Sequence, residues 1–361
     1  MWRKNGEIED MSETAQKDAA ATLKSAVESI LDTIEQERER EIITRRFGLF
    51  DRKETLEQIG ELLGITRERV RQLEKAILIR LKIAAEDGKI PAIHEVERMM
   101  IRDLSENGRV GRIQDVAERL VGAVPTAGTK AHVNFVAELS PKLTAVNEND
   151  NYHQGVTIAE YGDEKKVRSR VDDILKTIKK HGEPLSIEDL YAKLEGYETP
   201  SQVRALASIS KGLAHLKDMW GLIKWPTVNP KNIRDKIYVI LAEYGKPMHF
   251  SDIAGQIKGS EFKRKDVTTQ AIHNELIKDK RFVLIGRGIY ALDTWGYSKG
   301  TVSDIISKVL RKAGEPLHRD EIVKRVLKSR QVKETTILLN LQSKSEFKRV
   351  AKATYTLAED K

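Results

Sequence analysis

Apolar residues recur three and four positions apart over most of this chain, broken at intervals by short strand-like stretches. The rhythm predicts a mainly α protein with small strands. A longer pattern overlies it. KKHGEPLSIEDLYAKL, AEYGKPMHFSDIAGQI and RKAGEPLHRDEIVKRV each carry a glycine, a proline two residues on, and then a helical apolar stripe. Ile174 and Ile178, Ile237 and Leu241, and Ile306 and Leu310 precede Gly182, Gly245 and Gly314 by eight and four residues, so a helix is expected to end at each glycine. Leu190, Ile253 and Ile322 then open the stripe of a second helix. ENGRVGRIQDVAERL is a weaker copy, aligning Met100, Leu104, Gly108 and Val116 with these positions and placing Val110 where the others have proline. Intervals of about 60 to 75 residues suit compact units rather than a thin solenoid. The copies close in LTAVNENDNYHQGVTI, MWGLIKWP, RFVLIGRGIYALDTWGY and FKRVAKATYTLAED. In the third, Val283, Ile285, Ile289 and Ala291 flank Gly286-Arg287-Gly288, which predicts a hairpin with a basic tip. Three helices and a hairpin describe a winged helix.

Residues 55 to 82, TLEQIGELLGITRERVRQLEKAILIRLK, carry a different signal. Thr55 and Gln58 form a capping box that starts a helix, and Gly64 is placed to end it. Thr66 can cap a second helix whose buried stripe is Val70, Leu73, Ile77 and Leu81. Gly60 lets the two helices cross closely, with Ile59, Leu63 and Ile65 beneath. Glu68, Arg71, Gln72 and Lys75 then face outward, with Arg67 on their flank. Arginine can fork onto guanine, glutamine can bond adenine and glutamate can accept from cytosine, so this row can read a major groove. A solvated helix laced by ion pairs has the same composition; the tight turn and the glycine placement favour the helix-turn-helix.

The chain has 361 residues with net charge +8 and a pI of about 9.3. From Thr66 to Lys82, six cations stand against two carboxylates, so about half of the excess lies on one helix. Zero cysteines exclude disulfides and thiolate metal sites. Without an apolar run near ~18 residues or a signal-like N-terminus, neither a membrane span nor secretion is expected, and the cytoplasm is. His249 and His318 share a repeat position with Ser186, each three residues before an acidic residue, which suits helix starts rather than catalysis. No nucleotide-loop, hydrolase or metalloprotease motif is present, so no enzyme activity, cofactor or metal is expected. Trp220, Trp225, Tyr290 and Trp295 are read as core rather than as base-stacking groups. Arg287 can reach a phosphate or sit solvated at its tip.

RERE..ITRRFGL, TLEQIGELLGITRERVRQLE and LIRLK, over about residues 30 to 82, resemble region 4 of housekeeping bacterial sigma factors. The resemblance implies reading of a promoter −35 element and docking on the β flap of core RNA polymerase. It places Arg67, Glu68, Arg71 and Gln72 at base edges and Arg46 and Thr55 at phosphates, to which Lys75 and Arg287 are added. Ile42, Ile43 and Phe47 would be core or flap-facing. A complete sigma factor also needs a segment that melts the −10 element. MSETAQKDAAATLKSA reads instead as a flexible leader entering a helix, which implies a partial sigma-like protein. The GxP starts and GRGIYALDTWGY, with Tyr290, Trp295 and Tyr297, resemble HARE-type winged helices related to the N-terminal domain of the polymerase delta subunit. That resemblance covers about residues 167 to 360, with a fainter extension over 96 to 160, and implies duplex binding or polymerase docking.

The expected organisation is a flexible leader (1–21), a sigma region 4-like helix-turn-helix (22–84), a degenerate winged helix (96–160), and winged helices at 167–227, 231–297 (HARE-type) and 301–360. Linkers are expected at 83–95, 160–166, 226–232 and 298–301, so that a fragment ending at residue 95 would keep the reader. Residues 14–42 could form a long partner helix, and the oligomeric state is left open. The leading reading is a sequence-specific transcription factor on double-stranded DNA, nucleoid-associated and touching RNA polymerase. The alternatives are a polymerase adaptor and a DNA-recognition subunit of a restriction or other DNA-processing system.

Overall fold

The computed structural model describes residues 19–262, 264, 266–297, 299–330 and 332–358, and the chain divides into two compact units, Met1–Lys224 and Trp225–Lys361. In the first, α1 (residues 19–32) is followed by α2 (Glu37–Phe47), α3 (Leu56–Leu63) and α4 (Arg67–Glu86). Next come α5 (Pro91–Glu106), β1 (Val110–Arg112), α6 (Ile113–Val121), α7 (Ala127–Leu139), β2 (Leu143–Val146) and β3 (Gly155–Ile158). The unit closes with α8 (Glu164–His181), α9 (Ile187–Ala192), α10 (Pro200–Ile209), β4 (Leu213–Leu216) and β5 (Met219–Leu222). The second unit holds α11 (Ile233–Tyr244), β6 (Met248–His249), α12 (Phe250–Gly259), α13 (Thr269–Lys278), β7 (Phe282–Gly286) and β8 (Ile289–Leu292). Its remaining elements are α14 (Val302–Ala313), β9 (Leu317–His318), α15 (Arg319–Ser329), α16 (Glu334–Ser343), β10 (Phe347–Ala351) and β11 (Thr354–Leu357).

From α5 onward four similar motifs follow, three of them in the order helix, short strand, two helices, two strands and one, from α8 to β5, without the short strand. In three of these motifs the short strand pairs with the last one, giving the sheet orders β1-β3-β2, β6-β8-β7 and β9-β11-β10. In the motif from α8 to β5 a single bridge, Leu185 to Trp220, stands in for it. The helices that open the last three motifs end in left-handed glycines, Gly182, Gly245 and Gly314, because the chain must turn back there and only glycine adopts that conformation cheaply.

The first unit differs from a string of beads. Residues 83–95, expected as a linker, are mostly helix: α4 runs to Glu86 and α5 starts at Pro91, with Ile90 and Ile93 buried. One apolar core joins Leu23, Ile30, Ile43 and Ile77 to Met100, Val133, Phe135 and Val156. Residues 160–166 are likewise packed, since Tyr161 is buried and its carbonyl accepts from Lys166 Nζ. Nor is there a continuous helix over 14–42. α1 stops at residue 32, where the Thr33 hydroxyl turns back onto the Ile30 carbonyl, and α2 starts at Glu37. Residues 1–18 of the expected leader, 14–18 of that helix, and Ser298 of the last linker lie outside the described residues; 19–21 are helical.

Candidate nucleic-acid interface

The helix-turn-helix is built by local chemistry. The Thr55 hydroxyl accepts from the Gln58 amide while the Gln58 side chain accepts from the Thr55 amide, and Gly64 ends α3 at φ 64°. The Thr66 hydroxyl accepts from the Arg69 amide and starts α4. A Cβ on Gly60 would lie 2.7 Å from the Ile65 carbonyl oxygen, so only glycine lets α3 approach the turn this closely. Beneath the turn Ile42, Ile59 and Val70 form a core with Leu56, Leu63, Ile65 and Leu73 around them. Arg38 ties α2 to the end of α3 by donating to the Leu63 carbonyl at 2.7 Å.

This scaffold presents one face of α4. Arg67, Glu68 and Arg71 have side chains 68%, 59% and 54% exposed, and Gln72 and Lys75 are exposed beside them. The row is already ordered. Arg71 donates twice to Glu68, at 2.6 and 2.8 Å, and Gln72 donates to the same carboxylate at 3.4 Å. Hydrogen bonding from Arg71 holds the Glu68 carboxyl below its usual range, and the same pairing raises Arg71. Arg67 stands 3.8 Å from Glu57, and Arg69 donates to Gln72 at 3.4 Å. Farther along the helix, Arg80 is taken by Glu39 and Lys82 by Glu138, so the open cations lie in the N-terminal half.

The other expected contacts are placed differently. Arg46 is half-buried, donating to Glu74 at 3.1 Å and to the Glu54 carbonyl at 3.3 Å, so its charge is largely engaged within the domain. Thr55 is exposed and, with its oxygen accepting the cap bond, keeps its own proton to donate. Arg287 is exposed at the β7–β8 turn, remote in sequence and in the other unit, where Gly288 is needed because a Cβ would meet the His249 ring at 2.5 Å. His249, His318 and Ser186 cap α12, α15 and α9. Trp220 and Tyr290 are buried; Trp225 and Trp295 are half-buried.

Residue by residue, the deciding features are the capped tight turn, the close approach at Gly60 and the exposed polar row. Residues 36–82 match Sigma-70, region 4. Similarity to RNA polymerase sigma factor SigA of Bacillus sp is 46% identity over 78 residues, 21% of this chain and 20% of that protein. The same-named proteins of Listeria monocytogenes and Listeria innocua are each 45% identical over 78 residues, covering 21% of either chain. The chain spans about a fifth of the length of these curated relatives.

Two features escape the sequence reading, one at the region 4 domain and one in the second unit. The rear of the region 4 domain is covered by α7: the Phe47 and Phe135 rings meet edge to face at 4.9 Å, His132 Nε2 donates to the Leu49 carbonyl at 2.7 Å, and Lys82 meets Glu138 at 2.6 Å. Ile42 and Ile43 are fully buried, so with Phe47 they are interior groups rather than flap-facing ones. The available signal was AHVNFVAEL, apolar on more sides than a surface helix needs. The second is the β10–β11 hairpin, where Lys348, Arg349 and Lys352 are exposed and form no ion pair among the described residues. FKRVAK shows those cations directly. Among the described residues no group of His, Asp and Glu could hold a metal ion, and no helix is long and apolar enough to cross a membrane.

Proposed function

We propose that this protein is a sequence-specific DNA-binding transcription factor. It reads a −35-like element in the major groove with Arg67, Glu68, Arg71 and Gln72, and associates with RNA polymerase at the nucleoid. The observation that carries this reading is the exposed, pre-ordered polar row on α4 within a region 4 domain. Thr55 and Lys75 are exposed and serve as phosphate contacts, whereas Arg46 must leave Glu74 to serve as one. The four recurring motifs are read as winged helices, the third HARE-type, whose hairpins supply sequence-independent charge through Arg287 and through Lys348, Arg349 and Lys352. α7 has no such part in groove reading, because seven of its side chains are buried. Contact with the polymerase β flap falls to surfaces other than Ile42, Ile43 and Phe47.

A polymerase adaptor with little DNA affinity is the second reading, favoured by the third helices of the second unit. α13 and α16 expose Ile277 and Leu339 among Gln270, Asn274, Thr335 and Gln342, with few cations, a composition suited to protein rather than phosphate. Selection of duplexes from a random pool by the purified chain, with and without core RNA polymerase, separates the two. Enrichment of a −35-like motif by the chain alone is expected; enrichment only with polymerase supports the adaptor.

A further inference from the structure

The segment 47–53 between α2 and α3 faces the first motif across an open cleft of about 320 Å³. Arg52 and Lys53 line it from the region 4 side; Arg112, at the end of β1, and Lys130, in the first turn of α7, line it from the motif. None of these four cations forms an ion pair among the described residues; Arg112 donates to the Gln114 side chain at 3.4 Å. Two carboxylates share the lining. Asp51 is exposed, and Glu148 is held by Lys211 at 2.7 Å, which with His153 and Lys53 keeps its carboxyl below the usual range. His153, also on the lining, is pushed below the usual imidazole value by burial first, then by Arg112 and Lys211. Lys53 thus acts on a group of the opposite wall, and one positive field fills the cleft.

Like charges gathered in this way repel one another, and a polyanion lying between them removes the repulsion. The walls are already spaced. The core that joins Leu23 and Ile43 to Met100 and Val133 fixes the first motif against the region 4 domain, so little ordering cost falls on binding. The cleft also lies next in line from the groove. Lys53 is two residues from Thr55, at most about 7 Å along the chain. Thr55 caps the start of α3, and the first helix of a helix-turn-helix is the one that crosses the DNA backbone.

We propose that this cleft holds the DNA backbone on one flank of the recognised element, with Arg52, Lys53, Arg112 and Lys130 at its phosphates. The inference rests on groove reading by α4 and extends it. The first motif becomes the second wall of the DNA site, although most of its third helix α7 is buried and reads no base. One chain presents one such cleft, so the contact falls on a single flank, and as a backbone contact it carries no sequence information.

Anisotropy titration of the full chain tests this, on duplexes that carry its selected element and are trimmed stepwise on either flank. Trimming one flank should weaken binding, and trimming the other to the same length should not. Arg112→Ala combined with Lys130→Ala should lower affinity for the long duplex about tenfold and flatten the log–log salt slope by about 0.9 per phosphate lost. The same variant should bind the duplex trimmed on that flank as the parent does, with its preference for the selected over a scrambled element unchanged. Arg112→Lys, which keeps the charge, should match the parent throughout. Glu148→Gln removes a carboxylate from the cleft and loosens Lys211, so it should tighten binding to the long duplex alone, a gain that misfolding cannot produce. Parent-like affinity and salt slope in the double variant, no gain in Glu148→Gln, or equal sensitivity to the two flanks overturns the cleft contact. If the chain prefers no element but the double variant still binds random DNA more weakly, groove reading fails and the cleft contact stands.

Discussion

Arg67 and Gln72 differ from their neighbours on α4 in how little holds them. Arg67 has only a distant carboxylate at 3.8 Å, and Gln72 only weak side-chain bonds, so both are free to turn toward a base edge. Replacing either with alanine should weaken binding to the selected duplex by about 1 to 3 kcal/mol and binding to random DNA far less. Equal losses in a competition titration would remove them from base reading. His132 sits at the opposite, buried side of the region 4 domain. Burial lowers its pKa below 6.5, partly offset by its bond to the Leu49 carbonyl. The unfolded chain therefore takes up the proton first. The stability this neutral ring contributes is complete above about pH 6.5 and is lost as pH falls from there through the depressed folded value. Urea unfolding at pH 7.5 and 5.5 should show the loss, and His132→Gln should reduce it, leaving the part owed to His153, whose shift has the same sign.

Among elements, α3 and α4 owe their geometry to Gly60. An alanine there would press its methyl against the Ile65 carbonyl, and Gly60→Ala should destabilise the domain by about 1 to 3 kcal/mol, read as a lowered melting temperature. An unchanged melt would mean that the turn yields more easily than its packing suggests. The start of α3, the turn, and the glycine ends of α8, α11 and α14 were legible in the sequence because each depends on residues within a few positions. The exposure of Arg67, Glu68, Arg71 and Gln72 was legible for the same reason, being the complement of a helical stripe. Arg46 was not. Its partner Glu74 is 28 residues away, on another helix, and no local rule announces the pair. α7 was legible as a helix but not in its surroundings, since periodicity shows that a helix is apolar on several sides without naming what covers each.

Across the whole molecule, the shared core of the first unit changes where the chain can be cut. A fragment ending at residue 95 would strip α7 from Phe47, Leu49 and Ile43 and expose that surface to water. Such a fragment should be poorly soluble or molten, whereas one ending at Lys224 should fold and keep the DNA preference. A stable, discriminating fragment 1–95 would show that the core is less joined than its packing implies. Because the second unit carries Arg287 and the basic β10–β11 hairpin, the shorter chain should also show a shallower dependence of affinity on salt, by close to 0.9 in the log–log slope for each phosphate it no longer neutralises.

The single helix α4 spans 20 residues, exposing its polar row at one end and supplying Ile77, Leu81 and Ala85 to the shared core at the other. Such a rod acts as a lever without a joint. With its tip in the major groove as proposed, the direction of the groove fixes the compass bearing of the first motif about the DNA axis. Sliding the recognised site by about five base pairs, half of a 10 to 10.5 base-pair turn, would carry that body to the opposite side of the duplex. Output from a promoter should therefore rise and fall with helical phase as the site is moved, even where affinity for the site stays constant.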